Sequence, residues 1–162
     1  MTYVVIAADG GLSMKSRPTV SENINNEMPT GWWEMVRVQD QNLMAFVDES
    51  GLLVNLPRNP IGSVMLALLG AATYAYAGPV VLTGWEEIET LDDDGTELRD
   101  LHPSQVGRIQ QLYLWVMAML DGDDLGMPKQ AAEVRKHAKW VETLVDPDDV
   151  PAERRERVDG DA

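Results

Sequence analysis

"VDESGLLVNLPRNP", Val47 to Pro60, decides how the first half of this chain is read. Two apolar runs, "NLMAFVDE" and "GLLVNLP", flank Glu49-Ser50-Gly51. That arrangement predicts a β-hairpin, with Gly51 supplying the positive φ that closes it and Asp48 and Glu49 as turn residues. Pro57 and Pro60 fix their own φ and push Leu56 and Asn59 toward extended backbone, so Arg58 and Asn59 are held on a stiff loop. Two uses of that loop are open. A guanidinium and an amide could grip an anion or a partner's backbone. Alternatively, Asn59 caps a following helix whose first position is Pro60, and Arg58 pairs with a surface carboxylate.

On the N-terminal side, "YVVIAA", Tyr3 to Ala8, is a continuous apolar run stopped by Asp9-Gly10-Gly11 and reads as a central strand. "LSMKSRPTV" fits an edge strand or loop because Pro18 cannot donate to a ladder. "TVSENINNEM" allows a short helix capped by Thr19 or Ser21. "WWEMVRV", Trp32 to Val38, alternates like a strand with one face buried. Consecutive tryptophans on a strand must face opposite sides. One of Trp32 and Trp33 can enter the core; the other meets solvent, a ligand or a second chain, unless both sheet faces are covered.

On the C-terminal side, "IGSVMLALLG", Ile61 to Gly70, is apolar all round and predicts a buried helix. "GPVVLTG", Gly78 to Gly84, is a further β-branched run between glycines. Residues 86–100 carry eight acidic side chains against one arginine and predict an exposed loop or small hairpin. Two helices follow. Val106, Ile109, Tyr113, Val116, Met117 and Leu120 form the apolar stripe of one, with Pro103 in its first turn. Ala131, Val134, Ala138, Val141 and Val145 form that of the other, behind Pro128. "DGDDLGM" joins them as an antiparallel pair.

The fold class predicted is therefore α+β: a mixed, mostly antiparallel sheet with a covering helix, followed by a C-terminal helical pair. Residues 1–85 form the β-rich domain with short helices. Residues 86–145 form the acidic loop and helical hairpin packed on it, and 146–162 a frayed acidic tail.

Composition narrows the functions. The chain has 162 residues, 44% hydrophobic and 25% charged, enough for one sizeable core. No apolar run approaches bilayer length, and "MTYVVIAADGG" lacks the basic start of a signal peptide, so a cytoplasmic location is expected. Zero cysteines remove disulfides, thiol nucleophiles and thiolate metal sites. The net charge is −14, of which residues 86–162 contribute −11. Such a chain repels phosphate backbones, which argues against direct nucleic-acid binding; it leaves a basic protein partner, nucleic-acid mimicry or plain solubility.

Signatures of catalysis are missing: there is no Gly-x-Ser-x-Gly elbow, no phosphate-binding loop ending in Lys-Ser/Thr and no His-Glu-x-x-His pair. Asp121, Asp123 and Asp124 echo a calcium loop, but Leu125 and Ala132 stand where oxygen ligands belong. His102 and His137, the two histidines, are distant in sequence, and His102 before Pro103 reads as a helix start. No metal, cofactor or enzymatic activity is predicted.

"YVVIAA", "GWWEMVRV", "DESG" followed by "LPRN", and "GPVVLTG" together carry a resemblance. Over roughly residues 2–84, about half its length, the chain resembles a family of small uncharacterised proteins from actinobacterial phages and their hosts, known as a domain of unknown function. The family usually has Asn-Glu-x-Gly where this chain has Asp48-Glu49-Ser50-Gly51. The resemblance implies a phage or prophage accessory protein in the cytoplasm of a bacterial host cell, and implies no activity.

The resulting expectation is a non-enzymatic protein that binds and modulates a host protein, in host takeover or anti-defence. Arg58, Asn59, Arg37, Trp32 and Trp85 are the candidate ligand or partner residues. Glu86, Glu87, Glu89, Asp92, Asp93 and Asp94 form a candidate acidic surface. Sequestration of a nucleotide or other small ligand is the first alternative, with Arg58, Asn59 and Arg37 facing its phosphates; an acidic nucleic-acid mimic is the second. The narrow alanine-rich stripe of the last helix could serve a homodimer as easily as the monomer core.

Overall fold

The computed structural model describes residues 1–17, 20–39, 42–89 and 94–144, and the backbone alone of 20–23, 87–89 and 94–96. Ten elements follow in order: β1 (Thr2–Ile6), β2 (Leu12–Ser16), α1 (Val20–Glu27), β3 (Trp33–Arg37), β4 (Leu43–Asp48), α2 (Pro60–Leu68), β5 (Val80–Glu89), β6 (Asp94–Arg99), α3 (Pro103–Leu120) and α4 (Pro128–Thr143). The fold is α+β. Six strands form one sheet in the order β2-β1-β5-β4-β3, with β6 on the outer half of β5. Every pairing between these strands is antiparallel.

Both faces of the central strands are covered, which is why β1, β4 and the start of β5 read as unbroken apolar runs. Alternation along each strand divides two cores. On one face, Val4, Ile6, Ala45, Val47, Val80 and Leu82 pack with α2, α3 and α4 through Val64, Met65, Ile109, Val116, Val134 and Ala138. On the other face, Tyr3, Val5, Met44, Phe46 and Val81 pack with Ile24 of α1 and Met28. Full burial of each such side chain contributes about 1.5–3 kcal/mol. The first core runs across the division drawn near residue 85, which falls inside β5.

Helices α2, α3 and α4 share one face, and α1 covers the other. The stripe of α4 (Ala131, Val134, Ala138 and Val141) is buried within the monomer and is not free for a homodimer. Val145 and the tail 146–162 lie outside the described residues. At the start of α3, His102 is the N-cap: its ring accepts from the Ser104 amide while Gln105 Oε1 accepts from the His102 amide at 2.8 Å.

The predicted hairpin of 42–49 with 51–57 does not form. β4 ends at Asp48, and 49–55 wind into consecutive turns in place of a partner strand. Local bonds take the place of a ladder: Val54 N–H to Ser50 O at 3.0 Å and Leu56 N–H to Gly51 O at 2.8 Å. Positive φ falls at Asn55 (57°), not at Gly51. The acidic 86–100 stretch is the hairpin its alternative reading allowed: β5 and β6 pair from Gly84↔Arg99 to Glu89↔Asp94.

Candidate protein-interaction surfaces

Asn59 lies at the junction of β1, α2 and the segment before β5, with no exposed surface. Its Nδ2 donates to Ile6 O and to Gly78 O, both at 2.9 Å, and its Oδ1 accepts from Gly62 N–H at 2.8 Å as the N-cap of α2. Ser63 Oγ–H donates to Asn59 O at 2.7 Å and accepts from Tyr76 N–H at 2.9 Å. Both amide hydrogens and the amide oxygen are therefore committed to backbone, leaving Asn59 nothing to offer a ligand. Arg58 is engaged through two of its five N–H donors: Nε donates to Leu144 O at 2.8 Å, just past α4, and Nη1 to Leu56 O at 3.2 Å. The capping use of Asn59 is the one realised. Among the described residues Arg58 is tied to backbone carbonyls and not to the surface carboxylate expected for it, because the stiff loop aims it at the end of α4.

Asp48 is structural as well. It is buried, and its carboxylate accepts from Thr30 N–H at 3.0 Å, Thr30 Oγ1–H at 2.7 Å and Ser50 N–H at 3.0 Å. A carboxylate is needed for that set, since an amide in its place would turn one acceptor into a donor.

Arg37 does not converge with Arg58 and Asn59. It pairs across to Met44 at the end of β3, on the α1 side of the sheet, whereas Asn59 lies beneath α2. Its side chain is exposed and forms no ion pair among the described residues. Trp32 is 67% exposed just before β3, Trp33 38% and Met35 47% exposed on it, so neither tryptophan is sealed in the core. Trp33 packs edge-on against Phe46 with ring centroids 5.2 Å apart. Trp33 and Met35 were visible in the sequence as strand residues; their exposure follows from β3 lying at the sheet edge, which no local pattern encodes.

Trp85 is half-buried on β5, packed with Leu98 of β6 against the α1-side core. Beyond it, Glu86 stands directly across from Glu97, a like-charge pair that costs stability by itself. Arg99 offsets this by reaching both, Nε to Glu86 at 3.1 Å and Nη2 to Glu97 at 3.0 Å. All three side chains are about half exposed. The backbones of Glu87, Glu89 and Asp94 belong to this two-stranded arm, while Asp92 and Asp93 lie outside the described residues.

A cleft of about 200 Å³ opens between α2 and α4, bordered by Leu68, Thr73, Gln130, Glu133 and His137. Its one charged border is a carboxylate, and His137 Nε2 is engaged with Tyr74 O at 2.7 Å. That chemistry does not suit a phosphate. The "DGDDLG" acids are used locally: Asp124 pairs with Arg135 at 2.8 Å and Asp123 accepts from Leu125 N–H at 2.9 Å. Among the described residues, no three metal-binding side chains cluster, and no helix is long and apolar enough to cross a membrane. Comparison with family models, with curated proteins and with solved structures finds no match for this chain.

Proposed function

We propose that this chain is a non-enzymatic accessory protein, of phage or prophage origin, that binds a basic surface on a bacterial host protein and modulates that protein. The β5–β6 arm is the contact. One observation carries the reading: Glu86 and Glu97 sit side by side, exposed, on paired antiparallel strands, with Arg99 between them. An ordered strand pair presents charges at fixed spacing, so less side-chain and loop entropy is lost on docking than from a loose acidic segment. The ligand-sequestering alternative has less support, because Asn59 is fully engaged by backbone and Arg37 lies on the other face of the sheet from the Arg58–Asn59 loop.

Affinity capture from an actinobacterial lysate tests the reading. The wild-type chain recovers a specific basic protein that is released in about 1 M salt, where the Debye length is about 3 Å. The double variant Glu86→Gln/Glu97→Gln recovers much less of it. Repeated recovery of nothing, or equal retention by the variant, overturns the proposal. A captured enzyme that loses its DNA in the process would instead mark the arm as a nucleic-acid mimic.

A further inference from the structure

β3 is the last strand on its side of the sheet. Which of its backbone groups face outward follows from the ladder. Glu49 N–H donates to Trp32 O at 3.2 Å, so 32↔49 is a hydrogen-bonded pair of the β3–β4 register. Hydrogen-bonded and non-hydrogen-bonded pairs alternate in an antiparallel ladder, so Glu34 and Val36 also bond β4. Trp33, Met35 and Arg37 therefore direct their N–H and C=O groups away from β4, and no described strand pairs with them. The same three residues place their side chains on the α1 side, where Trp33, Met35 and Arg37 are all exposed.

We propose that two copies of this chain join through this edge, β3 against β3 antiparallel, about a two-fold axis at Met35. Only this register pairs all three outward residues at once: Met35 with its own copy, Trp33 with Arg37 of the second copy, and Arg37 with Trp33. All three are hydrogen-bonding positions, so the two strands exchange about six backbone bonds with none left over. Side chains directly opposite share a face, which lays each Arg37 guanidinium over the Trp33 indole of the other chain, a cation–π pair repeated by symmetry. The edge complements itself in charge and in apolar surface: a cation at one end, an aromatic ring at the other, a flexible thioether between. Such self-complementarity is what a two-fold interface requires. Arg37 has no competing ion pair among the described residues.

The net charge of −14 on each chain opposes this contact at long range. Screening relieves that repulsion, so added salt tightens the dimer, opposite in sign to the salt release of the arm's partner. The two proposals can therefore fail separately.

Sedimentation of the full chain, 18.0 kDa as a monomer, over a wide concentration series tests it. Twice the monomer mass is expected at high concentration, with the dissociation constant falling as salt rises to about 0.5 M. Arg37→Glu, at an exposed position, weakens the dimer about tenfold or more by setting a carboxylate against the opposing indole. The chain has no cysteine, so introduced ones report the register. Across a hydrogen-bonded pair Cα atoms stand about 5.5 Å apart, within disulfide reach. Met35→Cys is therefore expected to cross-link to itself under mild oxidation. Trp33→Cys and Arg37→Cys are expected to cross-link only when mixed, since like positions then lie roughly 13 Å apart along the strands. A monomer at every concentration and salt, an unchanged dimer in Arg37→Glu, or self-linking at 33 or 37 in place of 35 overturns the proposal. A pure monomer would leave the edge to an extended segment of another protein.

Discussion

Gly51 lies so close to Ala77 that a Cβ built on it would stand 2.4 Å from the Ala77 carbonyl oxygen. The contact joins the turn after β4 to the segment before β5, where Ala77 is buried and bridged to Arg58. A methyl group there has backbone, not a flexible side chain, in its way. Gly51→Ala is expected to lose about 2 kcal/mol or more, the scale of overpacking in a tight interior. Gly107, on the exposed side of α3 with nothing within 4 Å, is the control. Gly107→Ala should gain about 0.5–1 kcal/mol from helix propensity. Urea unfolding of both variants checks the pair; equal effects would refute the close-approach argument.

Asn59 predicts a sharper contrast. Asn59→Ala orphans the Gly78 carbonyl and the Gly62 N–H in this buried junction and takes from the Ile6 carbonyl one of its two partners, leaving it the β1–β5 ladder bond. Each buried orphan costs about 1–3 kcal/mol, so a loss of roughly 3 kcal/mol or more is expected. Asn59→Asp keeps the acceptor for Gly62 but aims a second oxygen at two carbonyls, and should be worse at neutral pH than the alanine variant. A chemical-denaturation series ranks the three proteins. If Asn59→Asp were as stable as wild type, the orientation of the amide would be wrong.

These two residues also show how far the sequence carries. Asn59 before Pro60 reads as a helix cap because both residue types are specific to that position, and α2 starts there. The apolar stripes of α3 and α4 are legible because helical period is a local property. "GLLVNLP" has a strand's composition, yet its carbonyls and amides find partners within the turn and Gly51 is held by Ala77, a contact 26 residues away in sequence. Arg58 likewise meets Leu144, separated by 86 residues. The surfaces were half legible: acidic composition marks the 86–100 arm, but only the strand order puts Trp33 and Met35 on an open edge. Long-range order is set by the sum of such packings, not by any one pattern.

Tyr3 makes stability depend on alkaline pH. Burial of the ring raises its pKa above the ordinary 10.0, aided by Glu27, whose carboxylate accepts the Tyr3 hydroxyl at 3.0 Å. In the unfolded chain the phenol ionises near its ordinary value, whereas in the fold it holds its proton to higher pH. The contribution of this group is therefore fully present below about pH 10 and is lost as pH rises through the folded value. Absorbance titration of phenolate should show a phase above the ordinary tyrosine value that Tyr3→Phe removes. The Tyr3→Phe variant should also lose less stability than wild type between neutral pH and pH 11. A Tyr3 phase at or below the ordinary value would refute the shift.

Thr83 offers a route to a more stable chain. It sits on β5 opposite Met44, has no exposed surface, and its Oγ1 has no hydrogen-bond partner among the described residues. A hydroxyl taken out of water and left unpaired costs about 1–3 kcal/mol, while its methyl packs as valine's would. Thr83→Val keeps the branched shape that suits the strand and exchanges the hydroxyl for a methyl group of nearly the same size. Stability should rise by about 1 kcal/mol, read as a higher urea midpoint with an unchanged slope. Thr83→Ala, which removes the orphan but leaves a void, should fall below the valine variant. If Thr83→Val is instead destabilised, the hydroxyl has a partner, and an ordered water in the strand-facing core is the first place to look.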